Sequence, residues 1–178
     1  MVAQVRRATG VRFAPLGAVC LQAMLDGDLP AASTIAGAAL PPFFLEEGWL
    51  WRIRLEQLGR DPSAAPWLVR AVVLDPGGEV IGHGGFHGPP DADGFVEVAY
   101  TVIPHRRGQG DAHEILRALL DEVADRPDVV GVRASVSPGN AASLATVRRA
   151  GFVQTGEQWD QDDGLELIFT KQSERGQR

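Results

Sequence analysis

A chain of 178 residues fits one domain and is long enough to bury roughly two thirds of its unfolded surface. Hydrophobic content of 44% with 22% charged residues is that of an ordinary soluble domain and leaves no case for disorder outside the ends. The formal net charge of −6, with a pI near 5.2, argues against a nucleic-acid-coating role, since phosphate backbones need a basic face; a small anionic ligand needs only a local cluster of donors.

Cys20 is the single cysteine, so neither an intrachain disulfide nor a cysteine-rich zinc site is open to the chain. The opening MVAQVRRATGVRFAPL lacks the continuous apolar core of a signal peptide, and no segment approaches 18 uninterrupted apolar residues. A cytoplasmic protein with no membrane contact is expected. Lys171 is the only lysine among the basic residues, which reads as codon bias before function.

In chain order, VRFAPL (11–16) predicts a first short strand ended by proline. Residues 17–60 carry apolar residues at three- and four-residue spacings on either side of ALPPFF, predicting two helices with a kinked junction. PWLVRAVVLD (66–75), EVIGHGGFH (79–87) and FVEVAYTVI (95–103) read as a three-strand meander, separated by the turn PGG and the loop GPPDADG. From Ala112, the residues Ala112, Ile115, Leu116, Leu119, Leu120 and Val123 form one helical face, and RPD ends that helix. VVGVRASVS (129–137) reads as a buried strand, and AASLATVRRAGF as a short helix with Gly151 just past its C-cap. FVQTGEQWD and GLELIFTK close the chain as two strands around the acidic turn QDDG. No repeat or linker interrupts this order, so one domain over 1–171 is expected, with 172–178 as a frayed tail.

The stretch HRRGQGDAHEIL (105–116) joins a strand to a helix through two glycines and two arginines. The first N–H groups of a helix have no intrahelical acceptor, and the helix dipole adds partial positive charge there. Glycines at 108 and 110 remove the Cβ atoms that would hold an anion away, and Arg106 and Arg107 add charge. The sum is a cradle for a phosphate or diphosphate. A nucleotide-triphosphate loop would need G-x-x-x-x-G-K-[ST], which is absent, and GHGGFHG does not meet the dinucleotide pattern and precedes a loop.

Arg107-x-x-Gly110-x-Ala112 resembles the Q/R-x-x-G-x-G/A signature of the GNAT superfamily of acyl-CoA-dependent N-acyltransferases, and Asn140, Ser143, Gly151 and Phe152 are similar to that family's later N-x-x-S-x-x-x-x-x-x-G-F unit. The likeness covers about residues 66–170, and its nearest branch contains the acetyltransferases of ribosomal-protein N-terminal alanine and serine. It implies an α/β (α+β) fold, a mixed and mostly antiparallel sheet of six to seven strands flanked by about four helices. It implies acetyl-CoA as co-substrate, no metal, no nucleic acid, and a small-molecule or peptide amine as acceptor. A catalytically silent acyl-CoA-binding module is the alternative, and the assembly stays open, a homodimer being the commonest closed form.

The same resemblance assigns residues. The strand at 95–103 is expected to splay from the strand at 129–137, leaving backbone at Thr101, Val102 and Ile103 free for pantetheine, with an N–H near Val102 polarising the thioester carbonyl. The diphosphate is expected on the N–H groups of residues 107–112, Arg107, Gly108, Gln109, Gly110, Asp111 and Ala112, with Arg106 adding charge beside them. Asn140 and Ser143 are candidates for coenzyme A contact, with helix capping as the plain reading of Asn140. Arg148 and Arg149 either meet the 3′-phosphate or end the helix in solvent.

For the acceptor's proton, Glu97 is the first candidate base, its plain alternative being a surface carboxylate paired with an arginine. His83 and His87 share a strand face and suit proton relay; otherwise they are ordinary hydrogen-bonding histidines. Many relatives carry a helix tyrosine as general acid where this chain has Val147. Tyr100 should face away from Glu97, Ser143 could serve as the acid, and that role is left unassigned. Trp49, Trp51 and Trp67 read as core or lid packing, and EQWDQDDG either attracts a cationic acceptor or is a solvated turn.

Overall fold

The computed structural model describes residues 10–162 and 164–173. Among the described residues, seven strands form a single sheet: β1 (Gly10–Pro15), β2 (Arg70–Asp75), β3 (Val80–Phe86), β4 (Phe95–Val102), β5 (Gly131–Val136), β6 (Val153–Asp160) and β7 (Gly164–Gln172). Six α-helices among the described residues accompany them: α1 (Ala18–Leu25), α2 (Leu29–Ala36), α3 (Phe43–Glu46), α4 (Gly48–Arg60), α5 (Asp111–Val123) and α6 (Ala141–Arg149). The strand order is β1-β2-β3-β4-β5-β7-β6, antiparallel throughout except for the parallel pair β4–β5.

The expected two helices over 17–60 are four. Gly27 at φ +78° stops the first, and Asp28 restarts the chain by accepting the Ala31 N–H at 3.0 Å, with proline in the first turn of α2. Pro41 and Pro42 then impose the short turn α3 before α4. Residues 66–69 precede β2 instead of belonging to it, and β5 is shorter than 129–137. Gln172 is not part of a frayed tail: it pairs with Gly131 in the sheet, and the Ser173 amide donates to the Val130 carbonyl. Residues 174–178 lie outside the described residues.

Helices cover both faces of the sheet. Over one, α5 and α6 bury Ile115, Leu116, Leu119, Val123, Leu144 and Val147 against Val72, Val96, Val98 and Val132. The α5 stripe is the predicted one, and truncating one of its leucines to alanine costs about 2–5 kcal/mol. Over the other face, α1–α4 pack Leu21, Met24, Phe44, Trp51 and Leu58 against Ala71, Val73 and Ile103. Trp51 and Trp67 are core residues as expected; Trp49, 60% exposed, is not. No helix among the described residues is long and apolar enough to cross a membrane.

Candidate active site

Strands β4 and β5 are paired only at Phe95↔Gly131, Val96↔Val132 and Glu97↔Arg133; beyond that they part. The expected splay is therefore present, and the ladder shows which backbone groups it frees. The His87 amide donates to the Glu97 carbonyl and the Ile103 amide to the Ile81 carbonyl, so odd-numbered β4 residues bond toward β3. Val98 still faces β5 at the last paired position, and beyond it even-numbered Tyr100 and Val102 consequently point their N–H groups into the gap. Of the three residues expected there, Val102 alone qualifies. Thr101 is paired with His83, and Ile103 spends its amide on β3 and its side chain in the α1–α4 core. Arg107 Nε occupies the Val102 carbonyl at 3.1 Å, leaving its N–H as the polar group on offer.

At the end of β4 a 3-10 turn over Pro104–Arg106 leads to α5. The Arg107 amide closes this turn on the Pro104 carbonyl, and the His113 amide bonds back to Gly110. Between them, among the described residues, the amides of Gly108, Gln109, Gly110, Asp111 and Ala112 have no acceptor within the chain. The cradle thus begins at Gly108, one residue later than expected. Gly108 and Gly110 sit at φ +76° and +92°, a backbone that side chains resist, and a Cβ at either would project into open space.

Arg106 does not contribute the free charge expected of it. Its Nε donates to Asp111 Oδ2 at 2.8 Å and its Nη2 to Oδ1 at 3.2 Å, with Glu79 3.6 Å from Nη1. Asp111, itself buried, therefore braces the turn as a clamp partner of Arg106, while its amide remains in the cradle. Gln109 likewise folds back, donating to the His105 carbonyl at 2.9 Å.

The cradle opens on a cleft of about 680 Å³, lined among others by Thr101, Val102, Arg107, Gly110, Ala112 and Arg149. Arg149 faces it, whereas Arg148 lies over the Phe169 ring. Asn140 caps α6, its Oδ1 accepting the Ser143 N–H at 3.0 Å, so the plain reading of Asn140 holds while both residues still line the cleft.

A second cleft of about 520 Å³ adjoins the first, and Tyr100, Asn140 and Ser143 line both. Its walls carry Glu97, Asp160, Glu166 and His87, and no lysine or arginine among the described residues. Glu97 Oε1 accepts from Ser135 Oγ at 2.7 Å and lies 3.8 Å from His87 Nδ1; Arg133, the arginine nearest in register, pairs with Asp91 instead. Burial pushes the His87 imidazole below its ordinary value of 6.5, with Arg54 adding to the drop and Glu97 and Glu166 opposing it. Gln57 of α4 fixes the loop by donating to the His87 carbonyl at 2.7 Å, and Arg54 in turn donates to Gln57.

His83 does not join this group. It lies among the rings of Phe43, Phe44 and Trp51, with Nε2 3.3 Å from Glu47, and lines neither cleft. Two histidines on one strand face were indistinguishable by spacing; α3 and the start of α4 cover one and leave the other open. The contribution of Ser135 had no sequence signal, because it depends on where two strands separate.

A family model described as an acetyltransferase (GNAT) domain matches residues 31–153. The Bacillus subtilis (strain 168) protein named "Uncharacterized N-acetyltransferase YjdG" is 28% identical over 75 residues, 42% of this chain and 45% of that protein, so the match spans less than half of that relative. Among solved structures, the ribosomal-protein-S5-alanine acetyltransferase of Vibrio fischeri superposes with a TM-score of 0.62 at 18% identity, covering 98% of both chains. AAC(6')-Ib in complex with Parmomycin and AcetylCoA superposes with the same TM-score of 0.62 at 17% identity, covering 95% of this chain and 97% of that one. At such identities the likeness is one of fold.

Proposed function

The chain belongs to the acetyltransferase (GNAT) domain family, and on that premise we propose that it transfers an acetyl group from acetyl-CoA to a primary amine by direct attack in a ternary complex. The observation that carries the reading is the run of five unbonded amides, Gly108 to Ala112, opening on a cleft that continues into an acid-lined one. These residues fit the co-substrate: the amides and the α5 N-terminus match a diphosphate, and Arg107 and Arg149 flank it. Acetyl-CoA, held there, would supply an activated thioester.

The protein supplies position and charge. The Val102 N–H, freed by the splay, is the donor for charge building on the carbonyl oxygen. Glu97 and His87 take the proton that the amine must lose. Glu97, Asp160 and Glu166, on a cleft wall lined by no lysine or arginine among the described residues, favour an acceptor that carries positive charge beyond the reacting nitrogen. That describes a polyamine, an aminosugar or a basic peptide N-terminus; the ribosomal-protein and AAC(6')-Ib neighbours act within the same fold and do not choose among these.

The test is intact-mass analysis of a panel of mono-, di- and polyamines and peptides after incubation with acetyl-CoA. Gain of one acetyl group on a cationic member is the expected result, with Glu166→Gln raising KM for it. Failure to bind acetyl-CoA, or to release thiol with any amine, overturns the reading.

A further inference from the structure

Arg54 of α4 is buried, 8% exposed, and carries a charge that the fold does not neutralise. Its Nη1 donates to Gln57 Oε1 at 2.9 Å, its Nε is buried with no acceptor, and no acidic side chain among the described residues pairs with it. A guanidinium keeps its proton in proteins, and a buried charge without a counter-charge is strongly unfavourable. Burial accordingly pulls Arg54 below its ordinary range, with no carboxylate opposing.

Beside it lies a cavity of about 60 Å³, lined among others by Leu16, Gly17, Leu21, Arg54, Leu58 and Leu68, with no acidic residue on its wall. Arg70 is the other arginine there, but it turns its guanidinium to Glu122, at 2.9 Å, and to the Phe13 ring on the α5 side of the sheet. Gly17 is also where α1 begins. That helix has no side-chain cap and no acidic residue in its first turn, and the amides of Ala18, Val19 and Cys20 have no acceptor within the chain among the described residues. A helix start left this bare adds partial positive charge to that of Arg54. Two sources of positive charge thus flank one small cavity, and neither has a negative partner.

We propose that this cavity binds a small inorganic anion of the halide class, held by the Arg54 guanidinium and the start of α1. A water occupies about 30 Å³ in the liquid, so the space admits one halide with a remaining water and excludes an organic acid as large as gluconate. The ion has a route to His87. Arg54 holds Gln57, which donates to the His87 carbonyl at 2.7 Å, and the Arg54 charge helps keep the His87 imidazole low, against Glu97 of β4 and Glu166 of β7, with Asp160 on the same cleft wall. An anion beside Arg54 cancels part of that charge, so the imidazole moves up toward 6.5 when the site fills. The bearing of this on catalysis rests on the acetyl-transfer reading; the site itself does not.

Crystals of the full chain grown in sodium bromide at about 0.15 M test the site. An anomalous peak in contact with Arg54 Nε is expected; water alone in the cavity overturns the site. In solution, the Arg54 Nε–H resonance is followed while chloride replaces gluconate at constant ionic strength. A shift that saturates by about 0.15 M is expected, and a resonance indifferent to the exchange overturns the site as well. Arg54→Met is expected to abolish the bromide peak, and a peak that survives it overturns the part given to Arg54. If that variant fails to fold, the two wild-type measurements decide by themselves. The imidazole titration of His87, identified by its loss in His87→Gln, is expected to have a higher midpoint in chloride than in gluconate. The same midpoint in both removes the link to His87. A chain that takes up bromide here yet transfers no acetyl group loses the proposed function and keeps the site.

Discussion

Ser135 Oγ donates to Glu97 Oε1 at 2.7 Å, tying β5 to β4 just past Glu97↔Arg133, the last residues the two strands pair. The bond holds the carboxylate over the mouth of the splay. Glu97→Gln keeps shape and hydrogen bonding but loses basicity, so kcat is expected to fall by about 10² or more, with acetyl-CoA affinity unchanged. Ser135→Ala leaves the carboxylate in place but less well held, and a drop of about tenfold or less is expected. Thiol release at saturating acetyl-CoA, beside calorimetric titration of CoA, measures both. An unchanged kcat in Glu97→Gln removes Glu97 from the chemistry.

His87 sets the pH response. Its imidazole is held below 6.5, chiefly by burial, so it is neutral and able to accept a proton at pH 7. The rate kcat/KM is expected to rise with pH and level off, with a midpoint on the acid side of 6.5, and His87→Gln should flatten that limb. Stability follows the same sign. Below 6.5 the unfolded chain binds the proton more readily than the folded one, so stability at His87 falls as pH drops through 6.5 toward the folded value. The side chain is half exposed, which keeps this effect small. Urea midpoints at pH 7 and pH 5, for wild type and His87→Gln, measure it.

Gly110→Val separates binding from folding. The backbone at φ +92° opposes a β-branched side chain, for about 1–2 kcal/mol of lost stability. Its Cβ would meet nothing in the protein and would stand in the open space a ligand needs. A shifted but cooperative thermal transition is expected, with acetyl-CoA binding weakened at least about tenfold. Full affinity in this variant would place the diphosphate elsewhere.

Cys20 is fully buried, its thiol pushed up by desolvation and its Sγ 3.4 Å from the Ala32 carbonyl. A thiol so placed is a poor nucleophile. The native protein is expected to leave a disulfide-exchange reagent unconsumed and to release one equivalent of reactive thiol only in denaturant. Rapid native reaction would show that α1 opens easily from α2.

What the sequence by itself determined is local. The stripe from Ala112 to Val123 named the buried face of α5, because a 3.6-residue period specifies a face whatever covers it. The spacing of Gly108 and Gly110 announced a turn with bare amides, because the need for positive φ and the unpaired start of a helix belong to the chain within one turn. Asn140 and Gly151 marked the ends of α6 for the same reason.

Only the tertiary structure decided what each polar group meets. His83 and His87 carry the same pattern, yet three aromatic rings enclose one and a cleft admits the other. Arg106 promised charge for a phosphate, but Asp111 and Glu79 consume it. Tyr100, on the opposite strand face from Glu97, lines both clefts. Periodicity states which side of a strand a residue occupies. Pairing, burial and charge depend on segments distant in sequence, and these separate a structural histidine from one that can take a proton.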